Sequence, residues 1–478
     1  MPLPHASSTD PPTKTPTVEV VPGGKVVGSI TPPGSKSLTN RALLCAAFAS
    51  GHSILTGALQ SEDTEVMIDS LRQIGVKIGV ENGGQTIHVD PSSLPNQAAP
   101  FAIPSDEVTK LFIANSGTTI RFLTAALSAA GGHYELRGVE RMHQRPIGDL
   151  VDAIRPILAG EIETLSEAGC PPVRLQSRGW IDGDVHVGGS VSSQYLSGLM
   201  MAAPIRSIVI GSQKATRSSR VIVDGELVSR PYVDMTAKVI ESFGGRVCCA
   251  SPHDGREDSI VFEISAAADT DPFGYCGCDY KIEPDASAAS YFWAAAAITG
   301  GQVTVNGLSR DAMQGDVGFA DVLEQMGCSV DYQSDSITVT GAPLTGIDVD
   351  MNAISDTVQT LAVVALFAKG PTRVRGVAHN RFKETDRIGD LACELRKLGA
   401  EVHEHEDGLT ITPPQNKDML HGATLSTYHD HRMAMSLSLA GLKIEGVQIE
   451  NPSCTSKTYP EFFQDLERLL QRPHRWQQ

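Results

Sequence analysis

Two patterns of apolar and polar positions alternate along the chain. In the first, an amphipathic helix runs into Gly and then into a short alternating strand. It reads Leu-Arg-Gln-Ile-Gly-Val-Lys-Ile around Gly75 and returns around Gly160, Gly244, Gly327 and Gly399, at spacings of 85, 84, 83 and 72 residues. Gly after the last helical turn supplies a left-handed cap. The alternation that follows, as in 402–411 with its break at Asp407-Gly408, predicts a hairpin. In the second pattern a polar loop opens a helix of small and apolar residues, which ends in Gly and leads into a strand. It starts near Ser35, Ser116, Ser192, Asp285, Asp356 and Asp430. The helical stretches 42–49, 196–203, 290–298 and 361–368 are apolar nearly all round, which predicts burial on every side.

The periodicity predicts a unit of two helices and a few strands, counted six times. The sixth copy of the first pattern is the C-terminal helix at 461–470, and the strand partner left for it is the N-terminal stretch 18–30. Both termini are therefore expected in one domain.

The 478 residues suit two to four domains. With 41% hydrophobic and 20% charged residues the chain reads as a soluble globular protein. The balance of 39 Lys and Arg against 56 Asp and Glu leaves a net charge of −17. That argues against nucleic acid as a partner, which needs a basic footprint. A small anionic ligand stays possible, because local cations override the global field. No stretch approaches the roughly 18 apolar residues of a membrane helix. Residues 1–16, rich in Pro, Ser and Thr and without an apolar run, read as a disordered tail and not as a secretory signal. Nine cysteines without an export signal suggest reduced thiols in the cytoplasm. Cys248-Cys249 and Cys276/Cys278 lack a second ligand pair, so no metal is expected.

Polar residues gather in the loops before the helices. Lys36, Ser37 and Arg41, then Asn115, Gly117 and Arg121, then Ser192, Ser193 and Gln194, then Asp430, His431 and Arg432 precede or open helices of the second kind. Arg141 and Arg145, Ser229 and Tyr232, Asp316, and Lys383, Glu384, Asp386 and Arg387 do so for the first kind, and Lys457 precedes the last helix. A single Ser or Asp there is ordinarily a cap. The concentration of Ser, Lys and Arg at helix N-termini is what points to a polyanionic small ligand held by several units. Gly34-Ser35-Lys36-Ser37 misses the phosphate-loop pattern because Ser35 separates Gly from Lys. No dinucleotide fingerprint, zinc-hydrolase motif or hydrolase elbow is present.

These motifs resemble those of the 5-enolpyruvylshikimate-3-phosphate synthase family, over nearly the whole chain from about residue 18 to 470. The likeness rests on Pro-Gly-Ser-Lys-Ser-Leu-Thr-Asn-Arg at 33–41, Asn-Ser-Gly-Thr-Thr-Ile-Arg at 115–121, Arg-Pro-Ile at 145–147 and Gly-Ser-Val-Ser-Ser-Gln-Tyr at 189–195. It rests also on Gln-Gly-Asp at 314–316, Lys-Glu-Thr-Asp-Arg at 383–387, Asp-His-Arg-Met-Ala-Met at 430–435 and Lys457-Thr458. The resemblance implies an α/β enolpyruvyl transferase fold, an inside-out α/β barrel in two domains, each of three βαβαββ-type units. The expected domains are 17–34 with 284–478, and an inserted 35–283, with the active site in the cleft between them.

The implied reaction moves the enolpyruvyl group of phosphoenolpyruvate to the 5-hydroxyl of shikimate 3-phosphate, by a monomer in the cytoplasm and without a cofactor. Shikimate 3-phosphate would be held by Ser192, Ser193 and Ser229, with Lys36, Ser37, Arg41, Gln194, Tyr232, Asp316 and Lys383 completing or bordering the pocket. Phosphoenolpyruvate would be held by Lys36, Gly117, Arg145, Gln194, Arg387, Arg432 and Lys457. Asp316 would be the base on the 5-hydroxyl and Glu384 would transfer the proton at C3, assisted by Lys383 and His431. Two departures stand out. Relatives often carry Asn four residues before the Lys, touching the acceptor; here His379 stands there and Asn380 follows. The loop that relatives use to line the pocket of the inhibitor glyphosate differs at Thr119, Ile120 and Phe122, but Gly117 is kept and sensitivity is expected. The sister transferase acting on UDP-N-acetylglucosamine has a different start motif and a loop cysteine that is missing around 141–145. A non-catalytic anion binder would not need both Asp316 and Glu384.

Overall fold

The computed structural model describes residues 15–93, 107–189, 192–205, 218–225, 227–250, 259–267 and 274–477. The expected tail lies outside them except for Thr15 and Pro16, whose Pro16 carbonyl accepts the Asn451 amide at 2.8 Å. Among the described residues six four-stranded sheets share one topology. In one of them Asp279–Lys281 runs parallel to Ser53–Thr56, which pairs antiparallel with Thr86–Asp90, itself antiparallel to Lys77–Glu81. The same sequence of one parallel and two antiparallel pairings recurs around Gly132–Arg137, Ser218–Asp224, Gln302–Asn306, Thr372–Arg375 and Gln448–Glu450.

The N-terminal stretch 18–30 does not serve one sheet, as the periodicity suggests, but two. Thr17–Glu19 inserts between Gln448–Glu450 and Arg475–Gln477, while Val27–Ile30 lies parallel to Gln302–Asn306. Pro22-Gly23-Gly24 separates the two strands, and such a cluster ends strand pairing.

Apolar side chains form two cores. One is built from residues between Leu38 and Ile282, the other from Val18–Ile30 with residues between Ala286 and Leu466. The chain passes between them twice, side by side: Ser35 N donates to Glu283 O at 2.9 Å and Asp285 N to Pro33 O at 2.8 Å. A Cβ on Gly34 would stand 1.9 Å from the Gly57 carbonyl, so only glycine fits where the strands cross.

Each core is built around the small-residue helices. Gly117–Ala130 and Ala286–Thr299 are buried at every position. Their Ala and Ser faces, together with Gly198 of the neighbouring Ser193–Ala202, let helices approach closely. Ser35, Ser116, Ser192, Asp285 and Asp430 each accept a backbone N–H of the helix they open, a contribution of about 1 kcal/mol apiece.

Boundaries differ in places from the pattern. The helix expected at 42–49 is Lys36–Ala47, and the one at 361–368 is Val358–Ala365. The second of these has no Asp cap: a 3-10 turn, Asn352–Thr357, precedes it and turns Asp356 toward cations. Gly160 caps no helix. It lies inside the strand Leu158–Thr164, where a Cβ would meet the Gln176 carbonyl at 2.0 Å. The 402–411 hairpin turns at Glu406-Asp407, with Gly408 already paired to His405. No helix of the described residues is long and apolar enough to cross a membrane.

Candidate active site

The N-termini of the buried helices bring their polar loops to the space between the two cores. From the first core come Lys36, Asp63, Asn115, Gly117, Arg121, Arg141, Arg145, Ser192, Gln194, Ser229 and Tyr232. From the second come Ser287, Asp316, Asp356, His379, Lys383, Glu384, Arg387, Asp430, His431, Arg432 and Lys457. Direct bonds span the cleft. Tyr232 donates its hydroxyl to both Asp316 oxygens at 3.2 and 3.1 Å. Arg141 donates to the carbonyls of Glu384 and Lys383 at 3.0 and 3.1 Å. Lys457 donates to the Asn115 carbonyl at 3.0 Å.

An ionic network fills the second wall. Arg387, 2% exposed, holds Asp430 with two bonds of 2.7 and 3.2 Å, Asp356 at 3.2 Å and Glu384 at 2.8 Å. Arg432 reaches the other Asp356 oxygen at 2.8 Å, and Lys383 stands 3.9 Å from Asp356. Lys457 lies between Glu384 at 3.1 Å and Asp63 at 4.0 Å, and Asp63 also pairs with Lys36 at 3.3 Å. Burial alone would raise the carboxyls of Asp356 and Glu384. Arg432, Lys383 and Arg387 beside the first, and Lys457, Arg387 and Arg145 beside the second, overcome it and hold both well below the usual range. Both are carboxylates at neutral pH.

Asp316 behaves in the opposite way. It is 3% exposed, accepts the Tyr232 hydroxyl and the Ser287 hydroxyl, and has no cation in direct contact among the described residues. Burial and the charge of Asp356 push it up to about 7, against the Ser287 bond and Arg432. One cleft thus holds a carboxylic group poised near neutrality and another kept ionised, the separation that assigns acid and base roles. Burial keeps the His431 ring neutral, and neither of its nitrogens has a hydrogen-bond partner among the described residues. Burial also lowers the Lys383 ammonium.

A smaller hollow opens beside the network. Ser192, Ser193, Gln194, Ser229, Arg121, Arg145, His379 and Lys383 line it with Phe382. Helices Ser193–Ala202 and Arg230–Ser242 both begin there, so free N–H groups and cations converge on one point. Arg121 donates to Gln194 Oε1 at 2.7 Å, and Arg145 to Asn115. The larger concavity of about 1180 Å³ lies along the two crossovers instead. Glu62, Glu65, Glu283, Asp311, Glu461 and Asp465 line it against Lys281 and Arg468, so it disfavours anions.

A model of the EPSP synthase family, 3-phosphoshikimate 1-carboxyvinyltransferase, matches residues 20–466. The chain belongs to the EPSP synthase family. The 3-phosphoshikimate 1-carboxyvinyltransferase of Erwinia tasmaniensis is 44% identical over 444 residues, which cover 93% of this chain and 96% of the relative. That of Shewanella sp. strain W3-18-1 is 42% identical over 446 residues, 93% of this chain and 97% of the relative. Among solved structures, EPSP synthase from Acinetobacter baumannii superposes with a TM-score of 0.75 at 24% identity, covering 97% of this chain and all of that one. The enolpyruvyl transferase NikO from Streptomyces tendae gives 0.72 at 18% identity, covering 97% and 99%. These last two carry the two-domain α/β fold of the family and nothing finer.

Within this family member the residues singled out from the sequence lie around one cleft. Arg41 stands apart from the free donors. Its 2% exposed guanidinium bonds Thr236, Ser197 and the carbonyls of Ser37 and Tyr232 and lies 5.1 Å over Phe122, tying the pocket walls together. Asp356, Arg121 and Arg141 were not among the expected ligand contacts, yet they order the network. Asp356 opens its unit where Asp285 and Asp430 open theirs, so the repeat carried a signal for it. The partners that make it an ion bridge come from two other loops, 383–387 and 430–432.

Proposed function

We propose that this cleft transfers the enolpyruvyl group of phosphoenolpyruvate to the 5-hydroxyl of shikimate 3-phosphate, releasing phosphate. The 5-oxygen bonds to C2, C3 takes a proton, and the tetrahedral ketal then loses phosphate and a C3 proton. The supporting observation is the gathering of Lys36, Arg121, Arg145, Lys383, Arg387, Arg432 and Lys457 in the cleft that also holds Asp316 and Glu384, in a chain of net charge −17. Two phosphates and two changing carbon centres call for such fixed cations and for two separately tuned carboxyl groups.

In this reading 17–34 with 284–478 and 35–283 are the two domains, each with its own core. Ser192, Ser193 and Ser229 take the phosphate of shikimate 3-phosphate, and Ser37, Gln194, Tyr232 and Lys383 border it. Arg145, Arg387, Arg432, Lys457, Lys36 and Gly117 receive phosphoenolpyruvate. Asp316, near neutrality, takes the proton of the 5-hydroxyl. Glu384 works at C3 with Lys383 and His431 beside it. The anionic groups of phosphoenolpyruvate compete for Lys457 and Arg387. Each cation drawn from Glu384 raises its carboxyl toward the range where it donates a proton. The enzyme acts as a cytoplasmic monomer without a cofactor.

The direct test is phosphate release from phosphoenolpyruvate, with and without shikimate 3-phosphate and in the presence of a chelator. Release only with the acceptor, unchanged by the chelator, is expected. No release with the acceptor, or release with UDP-N-acetylglucosamine instead, would overturn the assignment.

Gly117 supplies a second test. A Cβ there would stand 2.4 Å from Arg145 Nη2 and 2.6 Å from Arg121 Nη1. Side-chain ends can move aside, so Gly117→Ala is expected to fold normally. It displaces a guanidinium from the cleft, and KM for phosphoenolpyruvate should rise about tenfold. Glyphosate, expected to use the same loop, should inhibit the variant less than the parent. An unchanged KM in steady-state assays would remove Gly117 from the site.

A further inference from the structure

His379 and Asn380 are adjacent in sequence, and the structure separates their roles. Asn380 is fully buried. Its amide group donates to the Ser355 carbonyl at 3.0 Å, and its backbone carbonyl accepts Arg387 N at 3.2 Å. It belongs to the second core. His379 faces the other way, into the hollow of Ser192, Ser193, Ser229 and Lys383, with Nε2 3.4 Å from Ser229 Oγ across the cleft.

Ser229 is itself unusual. It opens the helix Arg230–Ser242 from a left-handed conformation, φ 54°, and its hydroxyl caps nothing in that helix. The hydroxyl donates instead to the Asn352 carbonyl at 3.2 Å. An anion seated at these two helix starts therefore comes within reach of the imidazole.

The charged groups around His379 come from both walls. Lys383, Arg387 and Asp356 act from its own side, and Arg121 and Arg145 line the same hollow from the other. Burial first, then the charges of Lys383 and Arg387, bring the ring down to about 4, so it is neutral at pH 7. A phosphate dianion in the hollow offsets those cations and favours the charged ring.

We propose that His379 is a binding residue for the phosphate of the acceptor, placing a ring N–H beside Ser229 and taking up a proton as the phosphate arrives. This rests on reading the hollow as the acceptor's phosphate subsite. Binding of shikimate 3-phosphate should then weaken as pH rises through the value at which the ring of the complex loses its proton. Binding of phosphoenolpyruvate should not share that dependence. The phosphate's own second ionisation, near pH 6, is common to parent and variants, so the comparison between them isolates the ring.

The test is calorimetric titration of shikimate 3-phosphate into the full chain at pH 6.5, in two buffers of different ionisation enthalpy. It is repeated with His379→Asn and His379→Gln, which keep an N–H donor but cannot be charged. The parent should take up more protons than either variant. Each variant should bind about tenfold more weakly at pH 6 and about twofold more weakly at pH 8.5. Equal proton uptake in all three proteins, or the same affinity loss at both pH values, would overturn the proposal. The parent alone provides a check independent of how the variants fold: its His379 resonance should titrate at higher pH with shikimate 3-phosphate bound than without, and an unmoved titration would also overturn it. A parent that neither binds shikimate 3-phosphate nor releases phosphate would instead overturn the assigned reaction. Normal turnover with a pH-independent variant ratio would remove only His379.

Discussion

Asp316→Asn is expected to lower kcat by about 10²- to 10⁴-fold, the range for loss of a positioned general base. Both KM values should change by no more than about threefold. Asn has the shape of Asp and still accepts the hydroxyls of Tyr232 and Ser287, which hold the group in place. It cannot take a proton. Because burial and Asp356 push Asp316 up to about 7, activity of the parent should climb with pH through that value as the base ionises. The residual activity of the variant should lack the limb. Stability gives an opposite reading of the same group. Between its usual carboxyl value and about 7 the folded chain keeps a proton that the unfolded chain releases, so this group makes stability fall as pH rises across that window. Above pH 7 the full cost of a buried charge is present. Asp316→Asn removes it, so the variant should melt above the parent at pH 8, and the two should converge near pH 4. A variant with full kcat, or one that loses binding as much as turnover, would take the base role from Asp316.

Arg387→Met is expected to destabilise the folded protein by about 3–5 kcal/mol, the range for breaking a buried ion pair. One guanidinium meets Asp430, Asp356 and Glu384. Removing it leaves Asp430, which is fully buried, with no cation in contact among the described residues, because the His431 ring 3.6 Å away is neutral. Asp430 still caps the helix His431–Ser438 through Arg432 N at 2.8 Å, but one backbone bond does not neutralise a charge. The denaturation midpoint should fall sharply, and Arg387→Met with Asp430→Asn should recover much of the loss. The pH dependence follows from the depressed carboxyls. The stability they contribute is present above their unfolded values and is lost as pH falls through the folded ones. The gap between parent and variant should therefore narrow below about pH 4. A midpoint within about 1 kcal/mol of the parent at pH 7 would show that Arg387 does not balance the network.

The chain's own pattern determined a large part of this protein. Small-residue runs such as 196–203 and 290–298 read as buried helices, because they have no polar face to give to water. Ser35, Ser116, Ser192, Asp285 and Asp430 mark where such helices begin, since a side-chain oxygen is needed there for a free N–H. The repeat of Gly after a helix, and of Lys, Arg and Ser before one, was enough to expect a polyanion site shared among units. The motifs from 33 to 458 then pointed to the family.

Tertiary structure decided what local pattern could not carry. Gly160 falls at the repeat position of the capping glycines, yet it lies in a strand, and there the carbonyl of Gln176 on the adjoining strand leaves no room for a side chain. Asp356 resembles a cap in sequence and is an ion bridge in space, because Arg387, Arg432 and Lys383 converge on it from loops 27 to 76 residues away. Arg41 and Arg145 look alike along the chain, but one is bonded into the first core and the other lines the hollow. His379 and Asn380 are adjacent, and only the direction of each side chain tells which meets the cleft. Periodicity and capping act over a few residues and can be read from a sequence. Charge balance, desolvation and close approach depend on groups brought together from distant segments, and those exist only once the two cores have packed.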